Sequence, residues 1–325
     1  MSRHLGFVLR ALVATLLLTS ICRAQTGFGV DAQGNLFSFD ITAPGPIPTT
    51  PIGNLGFVPE GIDFKPGTNT LYAIDVGSPN TQLYTVDINT AVATPTSSNF
   101  PTVAAGYNLT SQRIGFDFNP STLNGANILI RIVATNNDNL RVNSVDGTLA
   151  VIDSDVNIGG DSAFVDGIAY INNIPNSGTF ATTLYDMDSR NRSLFIQNPP
   201  ATGNLTLVGP FLAVSETIDP GIGFDIFTNP ADVDPTTAGD SGYAVLKRPS
   251  TNSGVYLLYQ VNLNTGAIFN GKNVNQGGNP ADFTGGFAIA PLPIPEPAAL
   301  TLLALALVAL PISRPQLVRR LTHTR

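Results

Sequence analysis

Asp63, Asp117 and Asp225 share one local setting. Each stands third in a Gly–apolar–Asp–apolar tetrapeptide: Gly61-Ile62-Asp63-Phe64, Gly115-Phe116-Asp117-Phe118 and Gly223-Phe224-Asp225-Ile226. Carboxylates brought together from three separate segments, with Glu60 beside the first, could hold a divalent cation, and such a cation could polarise an ester or lactone carbonyl. The same aspartates could instead cap turns within their own segments, and this structural role is the expected one.

A second constellation is Asp153-Ser154-Asp155-Val156-Asn157-Ile158-Gly159-Gly160-Asp161. Oxygen donors at alternate positions followed by glycines suit Ca2+, so Asp153, Asp155, Asn157 and Asp161 are candidate ligands of a structural calcium ion. The segment is not an EF-hand, because Ile158 stands where the turn glycine belongs and no glutamate closes the loop. No cofactor is required by the sequence; Ca2+ is the candidate it offers.

Gly239-Asp240-Ser241-Gly242 copies a serine-protease nucleophile motif, but the chemistry needs a base to take the serine proton. Residues 25–296 contain neither His nor Cys, since His4, Cys22 and His323 lie in the end segments. Disulfides, thiol nucleophiles, Cys/His zinc sites and histidine acid–base schemes are thereby removed, and no catalytic residue is assigned. The motif reads as a polar turn. The same region carries nine Lys+Arg against 23 Asp+Glu, a net charge of −14, which argues against nucleic acid as a partner. Arg113, Arg131, Arg141, Arg190 and Arg192 are five of those nine cations. They are expected in solvated ion pairs with the many aspartates rather than on an acidic polysaccharide. The Phe and Tyr side chains within the repeats are expected in the core, not on a sugar-stacking platform.

The elements that must position these residues repeat. The tetrapeptide recurs as Gly167-Ile168-Ala169-Tyr170 and Gly286-Phe287-Ala288-Ile289, giving steps of 54, 52, 56 and 63 residues. Within the repeats Leu71-Tyr72-Ala73-Ile74-Asp75, Leu83-Tyr84-Thr85-Val86-Asp87, Leu184-Tyr185-Asp186-Met187-Asp188 and Leu258-Tyr259-Gln260-Val261-Asn262 form a second alternating element. These segments end in turn formers such as Asp146-Gly147 and Asn264-Thr265-Gly266, and no amphipathic helix of normal length is evident. A period near 50 with about four strands per unit predicts an all-β propeller. Four full blades begin at Gly61, Gly115, Gly167 and Gly223. A fifth is split, with Gly286 to Ala290 as its inner strand and Phe28 to about Gly53 as its outer ones. The competing architecture is a pair of β-sandwiches.

The ends read as targeting segments. Arg3, His4 and Arg10 precede the uncharged run Ala11 to Cys22, and Cys22-Arg23-Ala24 predicts signal-peptidase cleavage between Ala24 and Gln25. At the other end Pro291, Pro293, Pro295 and Pro297 alternate, then 17 uncharged residues run from Pro297 to Ser313, then Arg314, Arg319, Arg320 and Arg325 follow. The expected organisation is a signal peptide (1–24), a propeller-like domain (25–290) and a spacer with a membrane-spanning sorting segment (291–325).

Two resemblances follow from these residues. Pro295-Glu296-Pro297, the apolar run and the basic end with Arg319 and Arg320 resemble the PEP-CTERM sorting signal of Gram-negative bacteria. That resemblance implies export, a transient inner-membrane anchor, processing by an exosortase, and residence at the cell envelope, the cell surface or the exopolysaccharide matrix. Pro311 within the apolar run and the spread of the arginines depart from the pattern. Gly115-Phe116-Asp117-Phe118-Asn119-Pro120, Leu140-Arg141-Val142-Asn143, Asp146-Gly147-Thr148-Leu149, Ala169-Tyr170-Ile171-Asn172-Asn173, Leu184-Tyr185-Asp186-Met187-Asp188 and Gln197-Asn198-Pro199 resemble the bacterial domain of unknown function 4394, over roughly residues 27 to 290. It implies a secreted propeller-like domain and brings no activity with it; Pro230 to Ser253 departs from its pattern. The expectation is a non-enzymatic binding or structural protein whose partner is an exopolysaccharide or a surface protein. A metal-dependent hydrolase or lactonase with channel carboxylates is the alternative.

Overall fold

The computed structural model describes residues 25–291, apart from Asn69 and the segments 123–127, 174–181, 212–218, 230–239 and 249–254. The residues expected to form a signal peptide, through Ala24, and those expected to form a sorting signal, Pro295, Glu296, Pro297, Arg319 and Arg320, lie outside the described residues. Among the described residues no helix is long and apolar enough to cross a membrane.

The chain forms five antiparallel four-stranded blades, a β-propeller. Blade 1 comprises Gly61–Phe64, Leu71–Val76, Asn80–Val86 and Ala93–Pro101, from the axis outward. Blade 2 comprises Ile114–Phe118, Leu129–Ala134, Asn139–Asn143 and Leu149–Ile152. Blade 3 comprises Val165–Tyr170, Leu184–Asp188, Ser193–Gln197 and Leu205–Pro210. Blade 4 comprises Asp219–Thr228, Asp240–Arg248, Val255–Val261 and Ile268–Gln276. Blade 5 joins the two ends of the domain: Phe287–Ile289 is innermost, followed by Thr26–Val30, Asn35–Asp40 and Thr50–Asn54. Its closing register pairs Gly27 with Ile289, Phe28 with Ala288 and Gly29 with Phe287. The ring is latched a second time where Ile47–Pro48 runs parallel to the outer strand of blade 4, opposite Val274 and Asn275. The two-sandwich alternative is thereby excluded.

The recurring tetrapeptide is the innermost strand of every blade, and its glycine is a packing requirement. A Cβ on Gly61 would stand 2.6 Å from Phe116 Cβ, one on Gly115 2.7 Å from Ile168 Cγ2, and one on Gly223 2.6 Å from Phe287 Cβ. Each glycine is therefore the seat for the apolar residue that follows the glycine of the next blade, and any side chain would push adjacent blades apart.

Four of the five blade interfaces are apolar. Blades 1 and 2 meet through Ile74, Leu83, Phe116, Phe118, Ile130 and Ile132, and blades 3 and 4 through Tyr185, Met187, Phe224, Ile226 and Leu246. Blades 4 and 5 share a cluster of Phe37, Phe39, Val245, Phe283 and Phe287, and blades 5 and 1 one of Phe28, Val30, Ile62, Phe64 and Leu71. The interface of blades 2 and 3 differs. Its apolar residues, among them Val133, Ile168 and Phe195, surround a layer of buried polar groups.

Candidate functional site

Strand alternation aims Asp63, Asp117 and Asp225 inward, and the five-fold arrangement brings them together on the axis. One carboxylate oxygen from each lies within 4.8 Å of the others. They are 2%, 1% and 2% exposed. Oxygens ligating one calcium ion at about 2.4 Å lie at most about 4.8 Å apart, so the spacing fits a single divalent ion. Asp153, Asp155 and Asp161 form no such group; among the described residues the axial triad is the only one.

The aspartates hold backbone, as the structural expectation has it, but on the inner strands of their own and the next blade rather than at turns. They bond the backbone N–H that follows each inward position. Asp63 Oδ1 accepts from Phe64 N at 2.6 Å and Oδ2 from Phe118 N in the next blade at 2.9 Å. Asp117 Oδ1 accepts from Tyr170 N in blade 3 at 3.3 Å. Asp225 Oδ1 accepts from Ile226 N at 2.6 Å and Oδ2 from Ile289 N in blade 5 at 2.6 Å. Five inward N–H groups, one per blade, are satisfied by three carboxylates. Ala169 and Ala288 are tolerated because Asp225 and Asp63 bond the N–H groups that aspartates at those positions would have reached.

The charge on the axis is unbalanced. Among the described residues no cation bonds any of the three carboxylates, and two ionised carboxylates about 5 Å apart repel by about 3 kcal/mol at an effective dielectric constant near 20. Burial, then repulsion from Asp225, holds Asp63 well above the usual carboxylate range, against the N–H bonds from Phe118 and Phe64. Burial, then Asp63 and Asp225, does the same to Asp117. Burial pushes Asp225 up to about 7, against the N–H groups of Ile289 and Ile226. The site calls for a cation or for protons.

Between the inner strands that carry the triad lies a small open pocket of about 30 Å³, lined by Glu60 and by Gly61, Gly115, Gly167, Gly223 and Gly286 with their apolar neighbours. That volume admits a water molecule but no organic substrate. Outward of it lies a wider concavity of about 330 Å³, whose lining includes Glu60, Gln112, Arg113, Asp166, Tyr256 and Thr284. Glu60 is half-buried, and its Oε2 accepts from Val76 N at 2.7 Å. Burial raises its pKa, assisted by Asp75 and opposed by that N–H bond. Asp166 Oδ1 accepts from Ser189 N at 3.2 Å.

The expected calcium loop is built otherwise. Asp153 bridges two arginines, at 3.1 Å to Arg131 Nη1 and 2.8 Å to Arg141 Nη2, so its carboxylate is engaged by cations. Asn157 Oδ1 accepts from Gly160 N at 3.1 Å, an ordinary turn contact, and Asp155 and Asp161 are exposed. Among the arginines, Arg131 is not solvated. It is 2% exposed, donates from Nε to Tyr170 Oη at 2.9 Å, and from Nη1 to Asn139 Oδ1. Arg190 stacks on the Phe164 ring at 4.1 Å.

Sequence reasoning missed Asp186. It lies in the second strand of blade 3, fully buried, and neither carboxylate oxygen has a hydrogen-bond partner. Gln197 Oε1, diagonal to it on the same sheet face, is also buried and unpartnered. Burial holds Asp186 well above the usual carboxylate range, opposed by Arg131. The odd element was visible in the sequence: where the other copies read Leu-Tyr-Ala, Leu-Tyr-Thr or Leu-Tyr-Gln, this one reads Leu184-Tyr185-Asp186.

No curated protein matches the chain. Solved structures resemble it at low identity. A candidate exo-β-1,3-galactanase from Bifidobacterium bifidum shows 10% identity over 79% of this chain and 91% of its own, with a TM-score of 0.48. A candidate 6-phosphogluconolactonase from Bacteroides fragilis shows 10% identity over 79% and 84%, with a TM-score of 0.37. A glutaminyl cyclase from Myxococcus xanthus shows 9% over 70% and 89%, with a TM-score of 0.34. A family profile covers residues 35–284, and the chain accordingly belongs to the family described as Domain of unknown function (DUF4394).

Proposed function

We propose that this protein is an exported, non-catalytic binding module. In this reading signal peptidase releases it at Ala24–Gln25, the C-terminal segment anchors it transiently in the inner membrane of a Gram-negative cell, and an exosortase processes it at the Pro295-Glu296-Pro297 tail. It then serves at the envelope, the cell surface or the matrix, holding a polysaccharide or a surface protein. The axial triad takes a divalent cation, Ca2+ by its all-oxygen donor set, which pins three blades together.

One observation carries the non-catalytic reading. The carboxylates are buried and bond five backbone N–H groups, and the pocket between the inner strands that carry them holds about 30 Å³, room for a water molecule rather than an organic substrate. The convergence of Asp63, Asp117 and Asp225 within 4.8 Å favours one second reading, a metal-dependent hydrolase or lactonase.

The test expresses the whole gene in a Gram-negative host that has an exosortase, sequences both ends of the mature protein, and assays it on an ester and lactone panel with and without Ca2+. An N-terminus at Gln25, loss of the tail and no turnover are expected. Calcium-dependent turnover abolished by Asp117→Asn would install the hydrolase instead, and an intact tail in the presence of the exosortase would remove the sorting step.

A further inference from the structure

The blades serve as internal controls for one another. In blade 4 Val261 pairs with Ile268 and Gln260 with Phe269. The same ladder in blade 1 pairs Val86 with Ala93 and Thr85 with Thr94, and in blade 3 Gln197 with Leu205 and Ile196 with Thr206. Phe269 therefore stands where two other blades carry threonine. Phe269 is 46% exposed. A large apolar surface left in water at a place where the repeat uses a hydroxyl calls for an explanation other than core packing.

Phe269 belongs to a cleft of about 200 Å³ whose lining includes Asp240, Ser241, Gln260, Asn262 and Asn264. Gln260 Oε1 accepts from Asn270 Nδ2 at 2.7 Å. Asn262 Oδ1 accepts from the backbone N–H groups of Asn264 and Thr265, at 2.9 and 3.1 Å. Both amides are thus oriented by their oxygens, which leaves their N–H groups as donors. Asp240 Oδ1 accepts from Thr228 Oγ1 at 2.5 Å, which fixes that carboxylate at the cleft, and Ser241 is exposed beside it. The Asp240-Ser241-Gly242 segment, without a base and hence without nucleophilic chemistry, acquires a place in this wall.

We propose that the cleft is a subsite for one neutral pyranose unit of a polysaccharide. A sugar ring offers an apolar C–H face that stacks on an aromatic ring, and hydroxyls that both donate and accept. Here an exposed ring lies beside amide donors, a hydroxyl and a carboxylate acceptor. Among the described residues that line the cleft there is no Lys or Arg, and there is one carboxylate, Asp240, so the lining favours a neutral sugar over phosphate or uronate groups. The volume lies below the roughly 300–1,000 Å³ of sites for larger ligands, which limits the cleft to a single unit of a chain that continues into solvent. The proposal deepens the binding reading above and rests on it.

The experiment measures binding of the mature protein to cellotetraose, maltotetraose, mannotetraose and galactotetraose by calorimetry, with Phe269→Ala, Phe269→Tyr and Arg113→Ala alongside. At least one neutral oligosaccharide should bind. Phe269→Ala should weaken it roughly tenfold or more, Phe269→Tyr should retain it, and Arg113→Ala should leave it unchanged. Equal affinity in the wild type and Phe269→Ala overturns the cleft alone, and loss confined to Arg113→Ala overturns it in favour of the axial concavity. Absence of binding by the wild type overturns the cleft and the glycan reading together.

Discussion

Asp63 and Phe118 stand 55 residues apart, yet Asp63 Oδ2 accepts the backbone N–H of Phe118 at 2.9 Å across the junction of blades 1 and 2. The contact explains the recurring tetrapeptide. Its glycine lets the next blade approach, its apolar residue fills the preceding blade's glycine seat, and its aspartate bonds backbone in the ring around the axis. The signal is repeated because the geometry is repeated, and three aspartates suffice for five blades because each carboxylate has two oxygens.

The first prediction separates those oxygens. Asn can replace Asp117 and still accept from Tyr170 N with its one carbonyl oxygen. Asn at position 63 must abandon either Phe64 N or Phe118 N, both deeply buried. Asp63→Asn is expected to lose about 1–3 kcal/mol more than Asp117→Asn in chelator-treated protein. Chemical denaturation compares them, and equal losses would refute the two-for-one arrangement.

A bound cation should appear as stability. Removing divalent ions and adding back Ca2+ should raise the unfolding free energy by about 2.7 kcal/mol when free calcium reaches a hundred times its dissociation constant. Asp117→Asn should abolish the rise, because it keeps the backbone bond and removes a ligand charge. Calorimetric unfolding with and without chelator decides this; a full calcium response in Asp117→Asn would place the ion elsewhere.

Asp153 sharpens that assignment. Its carboxylate bridges Arg131 and Arg141, and removing it strands the buried Arg131 guanidinium. Asp153→Ala should therefore destabilise by about 3–5 kcal/mol while leaving the calcium increment intact. A variant that unfolds normally but no longer responds to calcium would restore the loop 153–161 as the ion site.

The propeller, its five blades and the split closing blade were legible because Gly61, Gly115, Gly167, Gly223 and Gly286 mark one structural position at nearly constant spacing. The meeting of Asp63, Asp117 and Asp225 was legible as a consequence, since equivalent inner-strand positions must face the axis. Their partners were not, because a bond such as that from Ile289 N to Asp225 depends on how neighbouring blades stagger, and no single blade encodes that. Asp153 misled for a related reason. Alternating oxygen donors look alike whether they face an ion or an arginine from a strand some twenty residues earlier. Phe269 was hidden because the exposure of an aromatic depends on which strand is outermost in its blade.

Glycine at the axis is testable against glycine elsewhere. A methyl at Gly115 would meet Ile168 N at 2.8 Å and Ile168 Cγ2 at 2.7 Å, whereas at Gly77 the nearest atom lies at 3.4 Å. Gly115→Ala should cost about 1–3 kcal/mol by overpacking, and Gly77→Ala should stay within about 0.5 kcal/mol of the wild type. Thermal unfolding of the pair checks it, and similar midpoints would mean that the blades can spread at no cost.

Asp186 makes the last prediction, and its sign is definite. Burial raises its pKa in the folded protein well above the ordinary value of 3.8, despite Arg131. A folded pKa above the unfolded one means that the folded state binds the proton more tightly. The stability linked to that proton is complete below about pH 4 and is lost as pH rises through the folded value. Above it the protein holds an ionised carboxylate with no hydrogen-bond partner for either oxygen, beside an arginine already engaged by Asp153. Asp186→Asn keeps the shape, removes the charge and supplies two N–H groups on the sheet face that carries the unpartnered Gln197 Oε1. It should stabilise the protein by about 1–3 kcal/mol at pH 8 and by little at pH 4, so that the two stability curves converge on acidification. Denaturant unfolding from pH 4 to 8 measures both, and curves that stay parallel would mean that Asp186 is ionised and accommodated throughout.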